Sequence, residues 1–430
     1  MILIQAPILS ESGYGHKARE ISYAIFKEFG NDVKILPTNW GNNVNTGLKN
    51  SKFKELESTI LSNPQLNQQP DLFIVIGVPE DMRQLIGKRN ILFTSGVEVD
   101  NISPEWIDIL NKSNLDLIVV PSEFVKNVFL NTEYINNQDP SQKLRLHKQV
   151  EVIPESYDER IFNPLTNDDK KIMVQFNKSL EDNGIEKFMF TSGQVSPDKL
   201  ESGGDRKGFR DLYIAFKEQF KSTDKIALVA KLNGLNSSYM TDYLFKKAIS
   251  VVDLEIKSKD NAPLLVLSGH LSPQFLFALL SHEKNIANIY PTKGEGFGRM
   301  ILDAVLSNKP LIVPEVGAFR DFTIGCENVS YMKGAFKDIP PSAVMGKILV
   351  QGSKWYEINI DSLKGYLKYI NRSGNNFDFT KNLSNIEEIK TKFGYESVSK
   401  QITNVIANYH AKQLQIKLPN LKSLNIKKVE

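Results

Sequence analysis

The chain has 430 residues, too many for one ordinary hydrophobic core and suited to two domains. It is 41% apolar and 24% charged, as ordinary globular proteins are, and no apolar run approaches the roughly 20 residues needed to span a bilayer. Its net charge of +3, from 53 basic and 50 acidic side chains, excludes a strongly basic nucleic-acid binder, and its one cysteine, Cys326, excludes an intrachain disulfide.

The opening stretch, MILIQAPILSESGYG, lacks a basic leader region and soon turns polar, so it reads as a first strand. Further apolar runs follow at 33–36, 72–78, 91–93, 115–120 and 150–153. Runs apolar on both faces suit a buried parallel sheet. Between them, His16–Phe29 places Ala18, Ile21, Ile25, Phe26 and Phe29 on one helical stripe, and Pro104–Leu110 and Ser122–Leu130 open with helix-start signals. A polar segment, 163–184, reads as a linker. A second series of strands is expected at 188–191, 226–232, 264–268, 286–291 and 310–313, alternating with helices near 207–220, 272–281, 298–307 and 392–409. This alternation predicts an α/β chain of two doubly wound parallel sheets facing a cleft. The expected division is 1–165 and 166–404, with a helix at about 405–430 packing back on the first domain. The last twenty residues carry several lysines and read as a surface helix or tail. His16, His147, His270, His282 and His410 share no metal-ligand spacing with one another or with Cys326, so no structural zinc is expected.

Ligands bind beyond the carboxyl ends of such strands. The segment KGEGFGRMILDAVLSNKPLIVPEVG, 293–317, runs through a glycine-rich turn into a helix and back to a strand. The turn Gly294–Gly298 lets backbone approach a ligand, and the helix start favours an anion such as a pyrophosphate. Glu295 and Asp303, eight residues apart, can accept hydrogen bonds from two sets of sugar hydroxyls; the bland alternative is a solvated Glu and a helix-surface Asp. In FTSGQVSPDKLESGGDRKGFR, 190–210, Arg206-Lys207-Gly208 opens a helix, and a lysine there would stabilise charge on a leaving phosphate. The alternative, cations merely facing solvent, opposes the helix dipole. Gly13-Tyr14-Gly15-His16 makes an anion-friendly turn, and His16 is an acid–base candidate or a plain helix-start histidine. Glu98 and Asp100, in TSGVEVDNISPEWI, leave a strand end and either line the cleft or fix a loop.

The segment 293–317 resembles the signature of glycosyltransferase family 4, Glu–Gly–Phe–Gly with a second acid eight residues after the first. Weaker likenesses at Pro121-Ser122-Glu123-Phe124, at Ile153–Asp158 and at Phe393–Val398 extend the resemblance to about residue 409. It implies a GT-B fold and transfer of a sugar from a nucleotide donor with retention of configuration, without metal or cofactor. Glu295 would contact the donor sugar, Asp303 the ribose, and Gly296, Phe297, Gly298 and Arg299 the phosphates through their backbone. Lys207 would carry the leaving phosphate and Glu98 would stand opposite Glu295; these three are the expected catalytic residues. Gly13, Gly15, Arg206, Lys231 and His270 complete the expected donor site, and Tyr14, His16 and Asp100 the acceptor side. Two departures stand out: Asp303 is a methylene shorter than the family's usual Glu, and Gln194 replaces an arginine. Pro273 sits where relatives contact the nucleobase.

The acceptor class is open among saccharides, lipids and, from a likeness to tailed-phage glycosyltransferases, a hydroxymethylated DNA base contacted through 143–148 (KLRLHK) and the tail. The expected location is the cytoplasm, the host's for a phage protein, with any membrane contact peripheral. Competing readings are a metal-dependent single-domain transferase using Glu98-Val99-Asp100, a sugar-nucleotide epimerase, and a noncatalytic nucleotide-sugar-binding module.

Overall fold

The computed structural model describes all residues except 41–45, 50–51, 63–65, 83, 136–138, 140, 234–238, 259, 374–381 and 417–430. Most of the lysine-rich tail therefore lies outside the described residues. No helix among the described residues is long and apolar enough to cross a membrane.

The first half forms strands β1 (Ile2–Ala6), β2 (Val33–Pro37), β3 (Leu72–Ile76), β4 (Arg89–Phe93), β5 (Leu117–Val120), a hairpin β6 (Glu133–Ile135) and β7 (Lys143–Arg145), and β8 (Val150–Val152). Six of them make one parallel sheet in the order β2-β1-β3-β4-β5-β8. Helices α1 (Gly13–Phe29), α2 (Pro104–Lys112) and α3 (Glu123–Asn131) cover it, and each begins as its sequence dictates. Ser12, Ser103 and Ser122 cap the three helices with their side-chain oxygens, and Pro104 occupies the first turn of α2, where its missing N–H costs nothing.

The second half forms α4 (Asn167–Asp182), β9 (Lys187–Gln194), α5 (Pro197–Ser202), α6 (Phe209–Gln219), β10 (Ile226–Asn233), α7 (Tyr239–Asp253), β11 (Leu264–Leu267), α8 (Pro273–Leu280), β12 (Asn285–Ile289), α9 (Arg299–Leu306), β13 (Leu311–Pro314), α10 (Arg320–Thr323) and β14 (Val329–Met332). Its parallel sheet has the order β11-β10-β9-β12-β13-β14. The fold class is thus the expected one, two doubly wound parallel sheets with helices on both faces.

The expected linker is instead largely helix α4. Thr166 and Asp169 form a capping box, and Phe176 and Leu180, one turn apart, bury against the second core. The polar letters of 163–184 are the helix's solvent face. Four elements without a clear sequence signal follow β14: an antiparallel ribbon of β15 (Gly334–Asp338) and β16 (Lys354–Ile358), then α11 (Ile360–Ser373) and α12 (Leu383–Phe393). The chain then crosses back as α13 (Tyr395–Ile416), which lies largely on the helix expected near 392–409 and begins before the 405 expected for the returning helix. Val398, Ile402 and Ile406 of α13 complete the core between the first sheet and α1.

That return helix ties the stability of the first sheet to the far end of the chain. Replacing Ile406, which is fully buried, by Ala should cost about 2–5 kcal/mol, read as a lower denaturation midpoint. An unchanged midpoint would show that α13 is only loosely docked.

Candidate functional site

In each doubly wound sheet the crevice for a ligand lies where the strand order reverses. In the second sheet that place is between β9 and β12, and both chemical motifs of the sequence leave from it. The loop after β9 leads to Arg206 and Lys207, and the loop after β12 to Glu295. Two contacts clamp these loops together. Gly208, at φ +70°, sits so close beneath Pro291 that a Cβ would strike the Pro291 carbonyl oxygen, and the Lys293 N–H donates to the Arg206 carbonyl at 2.8 Å.

The clamp brings the predicted groups into contact. The Lys207 ammonium lies 2.5 Å from Glu295 Oε1, which also accepts from the Thr292 hydroxyl at 2.9 Å. The alkyl chain of Lys207 lies over Gly193. The Arg206 guanidinium donates to the Gly294 carbonyl, stands 3.7 Å from Glu295, and reaches across to Glu98 of the first half at 2.8 Å. These four side chains are only 13–23% exposed, so their charges interact more strongly than on an open surface. Burial by itself would push the Glu295 carboxyl up; the nearby charges of Lys207 and Arg206 overcome it and hold the group below the usual range. For Glu98 burial wins, and its carboxyl is raised despite Arg206 and Lys207.

The glycines of the turn are what allow the two halves to meet. A Cβ on Gly294 would collide with the Glu98 carbonyl oxygen, and one on Gly296 with that of Ser95. The Ser122 hydroxyl donates to the Gly296 carbonyl at 2.8 Å. Gly298, at φ +95°, turns the chain into α9.

A second charged cluster sits at the other end of this turn. The Arg299 guanidinium meets Nδ1 of His16, Glu155 at 2.8 Å and Glu20 at 3.4 Å, and the carboxylates favour its charged form although it is half-buried. His16 also faces Asp158 at 3.7 Å, so it is a half-buried member of an ion-pair network rather than a surface histidine. Beside the cluster, Asp303 is half-buried, and its Oδ1 atom, which is buried, has no hydrogen-bond partner among the described residues. Burial pushes its carboxyl up to about 7. An acceptor oxygen kept buried and unpaired is costly unless a ligand's donor satisfies it. Tyr290, just after β12, is buried, and the charges of both Asp303 and Glu295 add to the burial that raises its hydroxyl pKa.

The remaining predicted residues are placed less centrally. Tyr14 is half-buried against Trp40, accepts from the Ser95 N–H at 2.8 Å and lies 3.3 Å from the Thr94 hydroxyl, fastening the start of α1 to the end of β4. Gly15 packs on the Ser10 carbonyl, whereas Gly13 borders open space. The Asp100 carboxylate accepts from the backbone N–H of Lys354 at 2.6 Å, which makes it a fastener between the halves. Glu98 and Asp100 thus turn to different partners and do not converge as an acid pair. The Phe297 side chain belongs to the second core, against Phe322 and Phe393, leaving only its backbone to face the turn. Lys231 is buried one strand away on β10, bonded to Asn233 at 2.6 Å, and His270 is exposed in the loop after β11. In 143–148, Lys143 is engaged by Glu133 at 2.8 Å and Lys148 by two backbone carbonyls, which weakens that stretch as a phosphate contact.

Sequence reasoning missed Thr292, Glu20 and Glu155. Thr292 directly precedes the glycine turn, and Glu20 lies one helical turn after His16. Both neighbourhoods were legible; the partners, more than 130 residues away for Glu20 and Glu155, were not.

No protein-family model and no curated protein matches the sequence. Solved structures do resemble the fold. A glycosyltransferase from Rickettsia africae aligns over 95% of this chain and 98% of its own, with a TM-score of 0.59 at 13% identity. Sucrose-phosphate synthase from Thermosynechococcus elongatus aligns over 96% and 99%, with a TM-score of 0.59 at 13% identity. Trehalose-6-phosphate synthase from E. coli, bound with UDP-2-fluoro glucose, aligns over 95% and 99%, with a TM-score of 0.56 at 10% identity. The fold is therefore GT-B, with two Rossmann-like sheets facing one another.

Asp303 gives a test of the buried crevice that needs no substrate. Its folded pKa, about 7, lies above its ordinary 3.8, so between these values the folded chain holds more protons than the unfolded one. Stability from this group falls as pH rises through that window and is level above it. Thermal midpoints of Asp303→Asn should gain on the native chain from pH 4 to 7, and a constant difference across that range would overturn the assignment.

Proposed function

We propose that the chain is a retaining glycosyltransferase that moves a sugar from a nucleoside-diphosphate donor to an acceptor hydroxyl without a metal ion. The observation that carries this reading is the 2.5 Å pair of Lys207 and Glu295 at the strand-order reversal, with the unsatisfied Asp303 eight residues further on. Residues 166–404 would hold the donor, and 1–165 with the returning helix the acceptor side. The neighbour with UDP-2-fluoro glucose makes UDP-glucose the first donor to test, and one trehalose-6-phosphate synthase structure is described by glycosyltransfer with retention. The donor-site roles follow the family 4 signature, Glu295 on the sugar and Asp303 on the ribose.

The charges explain how a buried site can be stable yet ready. Before the donor arrives, Lys207 and Glu295 satisfy each other, as do Arg206 and Glu98. A diphosphate would take the two cations while sugar hydroxyls take Glu295, so of the four charges only Glu98 would give up its partner unreplaced. Glu98 would then be free to face the acceptor. As the bond between the anomeric carbon and the phosphate oxygen breaks, negative charge grows on the leaving phosphate, where Lys207 and Arg206 stabilise it most. The acceptor oxygen bonds to the anomeric carbon on the same face, and its proton passes to the leaving phosphate, releasing the nucleoside diphosphate.

Glu295→Gln and Lys207→Ala should each lower kcat about a hundredfold with the fold intact, as loss of one preorganised charge does. Activity should persist in excess chelator. Full activity in both variants would refute the site. Donor turnover that gives an epimer without any acceptor would favour an epimerase, and donor binding with neither hydrolysis nor transfer a noncatalytic module.

A further inference from the structure

The ribbon β15–β16 and the loop joining its strands, 334–358, interrupt the second half between β14 and α11. They do not extend the parallel sheet. They lean on the first half instead: Trp355 and Leu349 pack with Val99 in a small separate core, Lys347 approaches Glu80 at 3.8 Å, and Asp100 exchanges two hydrogen bonds with the Lys354 backbone at 2.6 and 2.9 Å. A cavity of about 10 Å³, space for one water, opens between this ribbon and the catalytic turn. Glu98 and Gly294 line it on one side, and Phe336, Tyr356 and Lys354 on the other.

The ribbon side has the chemistry of a sugar platform. Phe336 is 45% exposed although it borders the cavity, and its ring meets Tyr356 edge-on at 5.5 Å. The Tyr356 hydroxyl donates to Glu315 at 2.6 Å, which fixes the ring that supports Phe336. An exposed aromatic face with a rigid backing suits the C–H face of a saccharide ring. The strand register puts the exposed Lys354 on the same face as Phe336 and Tyr356, and no carboxylate among the described residues pairs with its ammonium, whereas Lys337 turns to the other face and meets Glu357 at 3.5 Å.

We infer that the 334–358 insertion is an acceptor subsite, in which Phe336 stacks a saccharide ring and Lys354 takes an anionic group on it. This inference rests on the proposed transferase reading and adds the acceptor's class and place to it. Continuity carries the argument: the cavity joins the platform to Glu98 and to the residue before Glu295. The 10 Å³ now present implies that the ribbon and the first half separate to admit the ring, and the contacts from Val99, Asp100 and Glu80 would couple that opening to acceptor entry. A single-stranded DNA base could also stack on Phe336, but the enclosed cavity and the small net charge favour a small molecule.

The test is steady-state transfer from UDP-glucose to glucose 6-phosphate and to glucose, with Phe336→Ala, Phe336→Tyr and Lys354→Met. Phe336→Ala should raise KM for both acceptors tenfold or more, with donor KM changed less than twofold, and Phe336→Tyr should restore it. Lys354→Met should raise KM for glucose 6-phosphate far more than for glucose, because its backbone contact to Asp100 is unaffected. Native acceptor KM in Phe336→Ala, or transfer only to hydroxymethylated single-stranded DNA, overturns this inference and leaves the transferase reading standing. A native chain that neither hydrolyses nor transfers any nucleotide sugar overturns both.

Discussion

The structure turns on an exchange of charge across one narrow gap. Two cations that follow β9, Arg206 and Lys207, are held by two carboxylates, Glu98 from the first half and Glu295 from the turn after β12. Buried ion pairs contribute little net stability, because desolvation of both partners offsets their attraction. Losing one partner is what costs. The pairs are therefore a poor glue; on the proposed reading they are a receptor, in which a ligand's phosphates and hydroxyls would replace the contacts of Arg206, Lys207 and Glu295.

Backbone sterics put the charges there. Gly294 and Gly296 have no side chain because carbonyl oxygens of residues 95–98 occupy that space, and Gly208 has none because Pro291 does. A single methyl group at any of these three positions would force the loops apart. The same closeness that joins the halves also narrows the crevice, so a transferase working as proposed would have to open to load and close to react. Arg299, bound to His16, Glu20 and Glu155, ties the opposite end of the turn to the first half.

On the proposed reading, the insertion of 334–358 would widen what a protein of this two-sheet fold can recognise. It belongs in sequence to the second half and bonds to it through Tyr356, which meets Glu315 and Lys293, yet it also reaches the first half at Val99, Asp100 and Glu80. Acceptor choice then need not lie in the first half alone. Fold likeness at 10–13% identity carries no information about such an element, since the sheets align whatever the loops between them do.

Local patterns in the sequence determined the repeating part of this protein. Apolar runs on both faces could only be buried parallel strands, serine caps and Pro104 started their helices, and the glycine turn with acids at 295 and 303 marked where a ligand should sit. Helix α4 was legible too, in Thr166 and Asp169, but its solvent face resembled a linker. The tertiary structure decided the rest, because it depends on residues far apart in the chain. It alone showed that Arg206 reaches Glu98, that Asp100 serves the backbone of Lys354, that Phe297 turns into the core, and that His16 and Arg299 meet. Pairings of this kind leave no periodicity or spacing in the sequence; they are set by which strand lies beside which, and that order is fixed only when the two sheets are wound.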